Sequence, residues 1–279
     1  MNIDAHQHYW DPSRGDYGWL TPALGPLYRA FGPEDLAPLR SAVGITRTVV
    51  VQAAPTLDET HYLLDLARVD DSIAAVVGWV PLDAPNAPAL IAAFAQVPAF
   101  KGIRPMLQDL PDDRWIMRPS LEPAINAMID ADLSLDALVF TRHLPALAEF
   151  ALRYPNLRIV IDHGAKPPIR EAPNGWQPWA DAMALLAALP QQLHCKLSGL
   201  ATEAGPDWSI DTLRPYVYHL LKHFGSSRLL WGSDWPVLNT NGDYHRWHAV
   251  ARRLLFEHDV GSDACAAVFG NNAKRFYRL

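Results

Sequence analysis

Arg228-Leu229-Leu230-Trp231-Gly232-Ser233-Asp234 reads as a short buried strand that runs out onto a carboxylate. Seven comparable runs precede it, at 193–198, 157–163, 133–138, 101–104, 73–80, 46–52 and 2–8. Amphipathic helical patterns stand between them. Pro33-Glu34-Asp35 starts one with proline in its first turn beside two acids, and Gly44 ends it. Thr56 and Glu59 have capping-box spacing at the head of the next. Further helices are expected over 88–97, from Pro119 through Ile129, over 144–151, over 179–189 and over 210–224, with two more after the eighth strand. Eight strands, each followed by a helix, are the number that closes an α/β (β/α)8 TIM barrel. An open doubly wound sheet also alternates strands and helices, but no Gly-x-Gly-x-x-Gly turn supports it.

Bulk composition agrees. The chain has 279 residues, 49% apolar and 19% charged, enough to bury a large core. No repeat or low-complexity linker divides it, so residues 1–279 are expected to form a single domain. A net charge of −6 without a basic run argues against nucleic acid or an anionic membrane surface as partner. No apolar run approaches the roughly 18 residues needed to span a bilayer. No charged-then-apolar leader opens the chain. Cys195 and Cys265 are too few for a disulfide framework and read as thiols in a cytoplasmic protein.

In a barrel of this kind chemistry gathers at the C-terminal ends of the strands. That rule brings together His6 and His8 from the first strand, Arg104 from the fourth, Asp136 from the fifth, His163 from the sixth, Lys196 from the seventh and Asp234 from the eighth. His6 and His8 share a face if the strand alternates regularly. Alternation also groups Ile159, Ile161 and His163, and separately Leu230, Gly232 and Asp234. Both sets are expected to point inward, which turns Asp162 toward the helices. Each residue alone has a plainer reading: a solvated histidine pair, aspartates capping turns, an ion-paired lysine, an arginine bracing a loop. Together they do not reduce to packing, because an unpaired buried charge costs on the order of several kcal/mol.

His6-x-His8, Ile161-Asp162-His163-Gly164-Ala165-Lys166-Pro167, Lys196-Leu197-Ser198-Gly199, Trp231-Gly232-Ser233-Asp234-Trp235-Pro236 and the closing Phe269-Gly270-Asn271-Asn272-Ala273-Lys274-Arg275-Phe276-Tyr277 resemble the amidohydrolase superfamily. More narrowly they resemble its amidohydrolase-2 branch of sugar-lactone and dicarboxylate-lactone hydrolases, over residues 2–279. The resemblance implies a barrel that hydrolyses a small lactone, with L-fuconolactone-like sugars first among substrates. It also implies a divalent metal, zinc, on His6, His8 and Asp234. Two departures argue against a two-metal centre. Lys101 begins the fourth strand at the wrong end to bridge metals, and Asp136 stands where many relatives carry a fifth-strand histidine. Some lactonases of this branch work without metal, so metal-independent hydrolysis stays open.

The expected mechanism has Asp234 as general base for a water attacking the ring ester, with His163 and Lys196 supplying positive charge or a proton. Arg104 and Asp136 would contact substrate oxygens, while Trp10, Trp235 and Tyr9 wall the sugar ring. Two other functions compete: a metal-dependent decarboxylase or hydratase on the same barrel, and a non-catalytic small-molecule or metal-binding barrel. Nothing in the sequence sets the oligomeric state.

Overall fold

A computed structural model describes residues 2–279. Its eight strands are β1 (Ile3–Gln7), β2 (Arg47–Val51), β3 (Ile73–Gly78), β4 (Phe100–Ile103), β5 (Ser134–Ala137), β6 (Arg158–Ile161), β7 (His194–Leu197) and β8 (Leu229–Trp231). They pair in parallel in sequence order. The ring closes just past β8, where Asp234 N donates to His6 O at 2.8 Å and His8 N donates to Trp235 O at 2.7 Å. Gly232 permits this closure, since a Cβ there would lie 2.7 Å from His6 Cβ. The strands are shorter at their C-terminal ends than the sequence runs suggest. Arg104, His163 and Asp234 lie just past the ends of β4, β6 and β8, at the mouth.

Parallel strands covered on both faces are apolar throughout, and the two faces are distinct here. Ile3, Ala5, Val49, Val51, Ala75, Val77, Val160 and Leu230 fill the lumen. Val50, Val76, Ile103, Leu135, Ile159, Ile161, Leu197 and Trp231 pack against the helices. The outer ring comprises α1 (Pro33–Ala42), α2 (Leu57–Val69), α3 (Ala87–Phe94), α4 (Glu122–Asp130), α5 (Leu144–Arg153), α6 (Trp176–Ala187), α7 (Leu200–Ala204), α8 (Ile210–Phe224) and α9 (Tyr244–Glu257). Two short helices end the chain, α10 (Ser262–Ala266) and α11 (Asn272–Tyr277), so three helices follow β8 rather than two. Ala273, Phe276 and Tyr277 of α11 join the lumen cluster.

The capping box at α2 forms by half. Thr56 Oγ1 accepts from Glu59 N at 3.0 Å. The Glu59 carboxylate is buried and turns instead to the backbone N–H groups of Ala53 and Ala54, at 2.9 and 2.7 Å. Between β1 and α1 the aromatic-rich segment folds back on itself, Trp10 and Phe31 exchanging two backbone hydrogen bonds. Trp19 in that segment donates its indole N–H to Ala53 O at 2.7 Å. Among the described residues no helix is long and apolar enough to cross a membrane.

Candidate active site

The first strand carries a bulge. Asp4 pairs with Thr48 and Gln7 with Val50, so three steps of β1 match two of β2. Before it Ile3 and Ala5 face the lumen. Asp4 faces outward, accepting from Tyr244 Oη at 3.0 Å and Ser233 N at 2.9 Å. Gln7 also faces outward, onto Thr48 Oγ1 at 3.1 Å. The extra residue re-aims His6 and His8 together into the mouth, a known use of bulges beside sites.

Strand alternation does not deliver the other two groups. His163 and Asp234 have φ of 53° and 59°, left-handed backbone that swings each side chain over the barrel after its strand has ended. The parity expected for the sixth strand is inverted. Val160 faces the lumen while Ile159 and Ile161 face the helices, and Asp162 lies inside the barrel rather than toward the helices. Gly199, at φ +68°, is needed here as well, because a Cβ on it would press 2.7 Å from the His163 ring.

Four groups meet as a result. His6 Nε2 lies 3.2 Å from His8 Nε2. Asp234 Oδ1 lies 3.3 Å from His8 Nε2 and 3.8 Å from the Nε2 atoms of both His6 and His163. Burial holds the imidazoles below their usual range, furthest for His6, where the Lys196 charge adds to it, and for His163. Burial pushes the Asp234 carboxyl upward, but His163, His8 and Lys166 around it win and keep it below its usual value. Burial thus disfavours a charge on the imidazoles, while their positions and Lys166 favour the ionised form of Asp234.

Beneath it lies a second layer of buried charge. Lys196 Nζ contacts Asp136 Oδ2 at 2.5 Å, Asp162 Oδ1 at 3.0 Å and His6 Nδ1 at 3.0 Å. Asp162 also reaches His6 Nδ1 at 3.4 Å and Arg104 at 3.5 Å. Tyr277 of α11 donates to Asp136 Oδ2 at 2.7 Å. Burial works against the Asp162 charge, yet Lys196 and His6 hold its carboxyl well below the usual range. Two carboxylates and two cations balance, as buried charges must.

A cavity of about 270 Å³ opens above the histidines. It is lined by His8, His163, Asp234 and Arg104 with Trp10, Trp19, Ala53, Met106, Leu138 and Val237, and by Gln108, Asp109 and Lys166. Four residues expected at the substrate, Lys196, Asp136, Trp235 and Tyr9, do not line this cavity. Lys196 and Asp136 are fully buried against each other and do not line the cavity, so neither faces a substrate. Trp235 packs behind the wall against Tyr9 and Phe31, with ring centres 6.2 and 5.2 Å away. Trp10 does line the cavity. Arg104 lines it too, with its guanidinium donating to the Gln52 backbone carbonyl and side chain. Asp162, Trp19, Gln108 and Lys166 were not expected. Asp162 and Lys166 sit inside the motif around His163, but only the left-handed turn shows which way they point.

The cluster fits a metal ion. His6, His163 and Asp234 each offer a ligand atom within 4.8 Å of the others. His8 Nδ1 lies 2.7 Å from Val51 O. A carbonyl only accepts, so that nitrogen carries the proton and the Nε2 lone pair faces the cluster. His6 Nε2, 3.2 Å away, meets that lone pair either with its own proton or, once deprotonated there, with a shared cation between them.

Comparison with known proteins agrees with this geometry. The sequence model of the amidohydrolase family matches residues 3–279. The chain is 54% identical to an L-fucono-1,5-lactonase of Burkholderia ambifaria, over 100% of this chain and 96% of that protein. It is 35% identical to an L-fucono-1,5-lactonase of Burkholderia multivorans, again over 100% and 96%. A crystal structure of a Burkholderia multivorans amidohydrolase with bound zinc superposes with a TM-score of 0.93 at 35% identity, covering 100% of this chain and 99% of that one. A buried His/Asp cluster at the mouth of an eight-stranded barrel, and a full-length match in sequence and structure, place this chain in the amidohydrolase family.

Proposed function

We propose that this protein is a lactonase that opens a sugar lactone, L-fucono-1,5-lactone or a close stereochemical relative, by water attack on the ring ester. The observation that carries the reading is the Asp234 carboxylate in the cavity within 3.8 Å of the His6, His8 and His163 imidazoles, in a chain 54% identical to an L-fucono-1,5-lactonase. Asp234 takes a proton from water as the oxygen attacks the carbonyl carbon. It returns that proton to the ring oxygen as the carbon–oxygen bond breaks, leaving a hydroxy acid. Arg104, which lines the cavity, places positive charge beside the developing oxyanion. Trp10 and Trp19 flank the ring and exclude water.

His6, His163 and Asp234, with His8 beside them, would hold one divalent ion, zinc first, and that ion would supply positive charge to the carbonyl oxygen. Lys196, deep in its ion pairs, holds His6 rather than donating a proton to substrate. The reading needs a small-molecule lactone and no other partner, and the free thiols of Cys195 and Cys265 suit a cytoplasmic setting.

A panel of aldono-lactones with a pH indicator tests the assignment, since each opened lactone releases one proton. Asp234→Asn is expected to keep its circular dichroism spectrum and lose roughly 10²–10⁴-fold in kcat. Turnover near wild type removes Asp234 from the base role. Carbon dioxide release in place of lactone opening identifies a decarboxylase, and binding without turnover identifies a non-catalytic barrel.

A further inference from the structure

Lys166 and Gln108 face the cavity from two different loops. Gln108 lies in the turn after β4, and Arg142, from the segment after β5, fixes its backbone by donating to its carbonyl at 3.0 Å. Lys166 follows the left-handed turn after β6, itself at φ 46°, with its N–H on His163 O at 2.9 Å. The two side chains meet, Lys166 Nζ donating to Gln108 Oε1 at 2.7 Å. Both line the cavity that holds Asp234 and His163.

What sets Lys166 apart is that no carboxylate reaches it directly; its charge acts on Asp234 and Glu203 only from a distance. Among the described residues it makes no ion pair with a carboxylate within 4.0 Å, whereas Arg104, the other cation lining the cavity, contacts Asp162. A half-buried lysine kept for stability ordinarily pairs with an acid or extends into water. Here a neutral amide takes one of its three N–H groups, over the Phe140 ring. That leaves N–H donors of Lys166, and the Gln108 amide N–H groups, without protein acceptors at the cavity. The Asp109 and Asp234 carboxylates also line the cavity, but neither bonds Lys166 Nζ or the Gln108 amide, which leaves those donors to a ligand's oxygens.

We infer that Lys166 and Gln108 form a polar clamp that selects polyhydroxylated lactones over unsubstituted ones. The inference rests on the lactonase assignment above and names the residues that read the sugar's hydroxyls. A sugar lactone offers several hydroxyl oxygens to these donors. A plain δ-lactone carries the same reacting ester and none of them. A site built to bond a hydroxyl discriminates strongly against the analogue lacking it, because its own polar groups are left unpaired.

The experiment compares kcat/KM for L-fucono-1,5-lactone and δ-valerolactone in wild type, Lys166→Met and Gln108→Leu, with melting temperatures recorded for each. Lys166→Met is expected to lose roughly 10–150-fold on the sugar lactone, chiefly through KM, the range for a hydrogen bond from a charged donor. The selectivity ratio falls by the same factor. Gln108→Leu loses less, and the double variant loses less than the product of the two, because each residue holds the other. An equal loss on both lactones, or a loss confined to kcat, overturns the clamp and makes Lys166 part of the chemistry or of the fold. No loss overturns it as well. If wild type does not open δ-valerolactone, the KM change on the sugar lactone decides. Failure of wild type to open either lactone is a separate result and sinks the lactonase assignment itself.

Discussion

At the scale of single residues the site depends on one missing side chain. Gly232 brings the end of β8 against His6 so closely that a Cβ has nowhere to go without moving the His6 backbone. Gly232→Ala is expected to destabilise the fold by about 1–3 kcal/mol through overpacking. It should also weaken binding of a divalent ion at the proposed metal site, because His6 and Asp234 are joined across this closure by the Asp234 N to His6 O hydrogen bond. Thermal unfolding and a zinc titration read the two effects. An alanine variant with unchanged zinc affinity would show that the closure does not set the ligands. The pattern Trp231-Gly232-Ser233-Asp234 made the glycine visible in sequence. Its reason was not, because the residue it must avoid is more than two hundred positions away.

At the scale of elements, α11 does more than end the chain. It stands among the lumen residues, and Tyr277 ties Asp136 into the charge layer under His6. Lys196 is the centre of that layer, touching both carboxylates and His6. Lys196→Met leaves Asp136 and Asp162 buried without their common partner. It is expected to cost about 3–5 kcal/mol in chemical denaturation, the usual penalty for breaking a buried pair from one side. A variant as stable as wild type would place the burden of balancing those charges elsewhere. The elements themselves were largely legible. Strands and helices fall where apolar runs, prolines and caps put them, with ends displaced by a few residues. What failed was strict alternation. The bulge in β1 and the left-handed turns after β6 and β8 break the period of two, so counting back from an inward His163 turned Asp162 outward, although alternation from Val160 puts it inside.

At the scale of the whole molecule, buried neutral histidines far from the site tie stability to pH. Burial lowers His194, packed on the Phe276 ring, and His248, packed on Trp231 and Phe269, from 6.5 to about 4. Above pH 6.5 both states leave these rings neutral and pH has little effect through them. Between pH 6.5 and about 4 the unfolded chain binds protons that the folded chain refuses, so stability falls through that window. Melting temperatures recorded from pH 7 to 4 should decline, and His248→Phe should make the decline shallower. An identical slope in that variant would show that His248 does not titrate as its surroundings require.

The sequence by itself determined the barrel, because strand count, helix spacing and capping are local properties repeated eight times along the chain. It also marked the family and the ionisable residues of the mouth, since those residue types recur in contiguous motifs, but it put His8 with His6 and Asp234 as metal ligand where the structure groups His163 with those two. Only the tertiary structure decided which of the candidates share a cavity. Lys196, Asp136 and Trp235 were near the mouth in sequence terms but fell behind or beneath it, while Lys166, Gln108 and Trp19 came to line it. That division has a physical cause. Side-chain direction at a strand end is set by one bulge or one positive φ, and those are stabilised by contacts with distant segments rather than by the neighbouring residues.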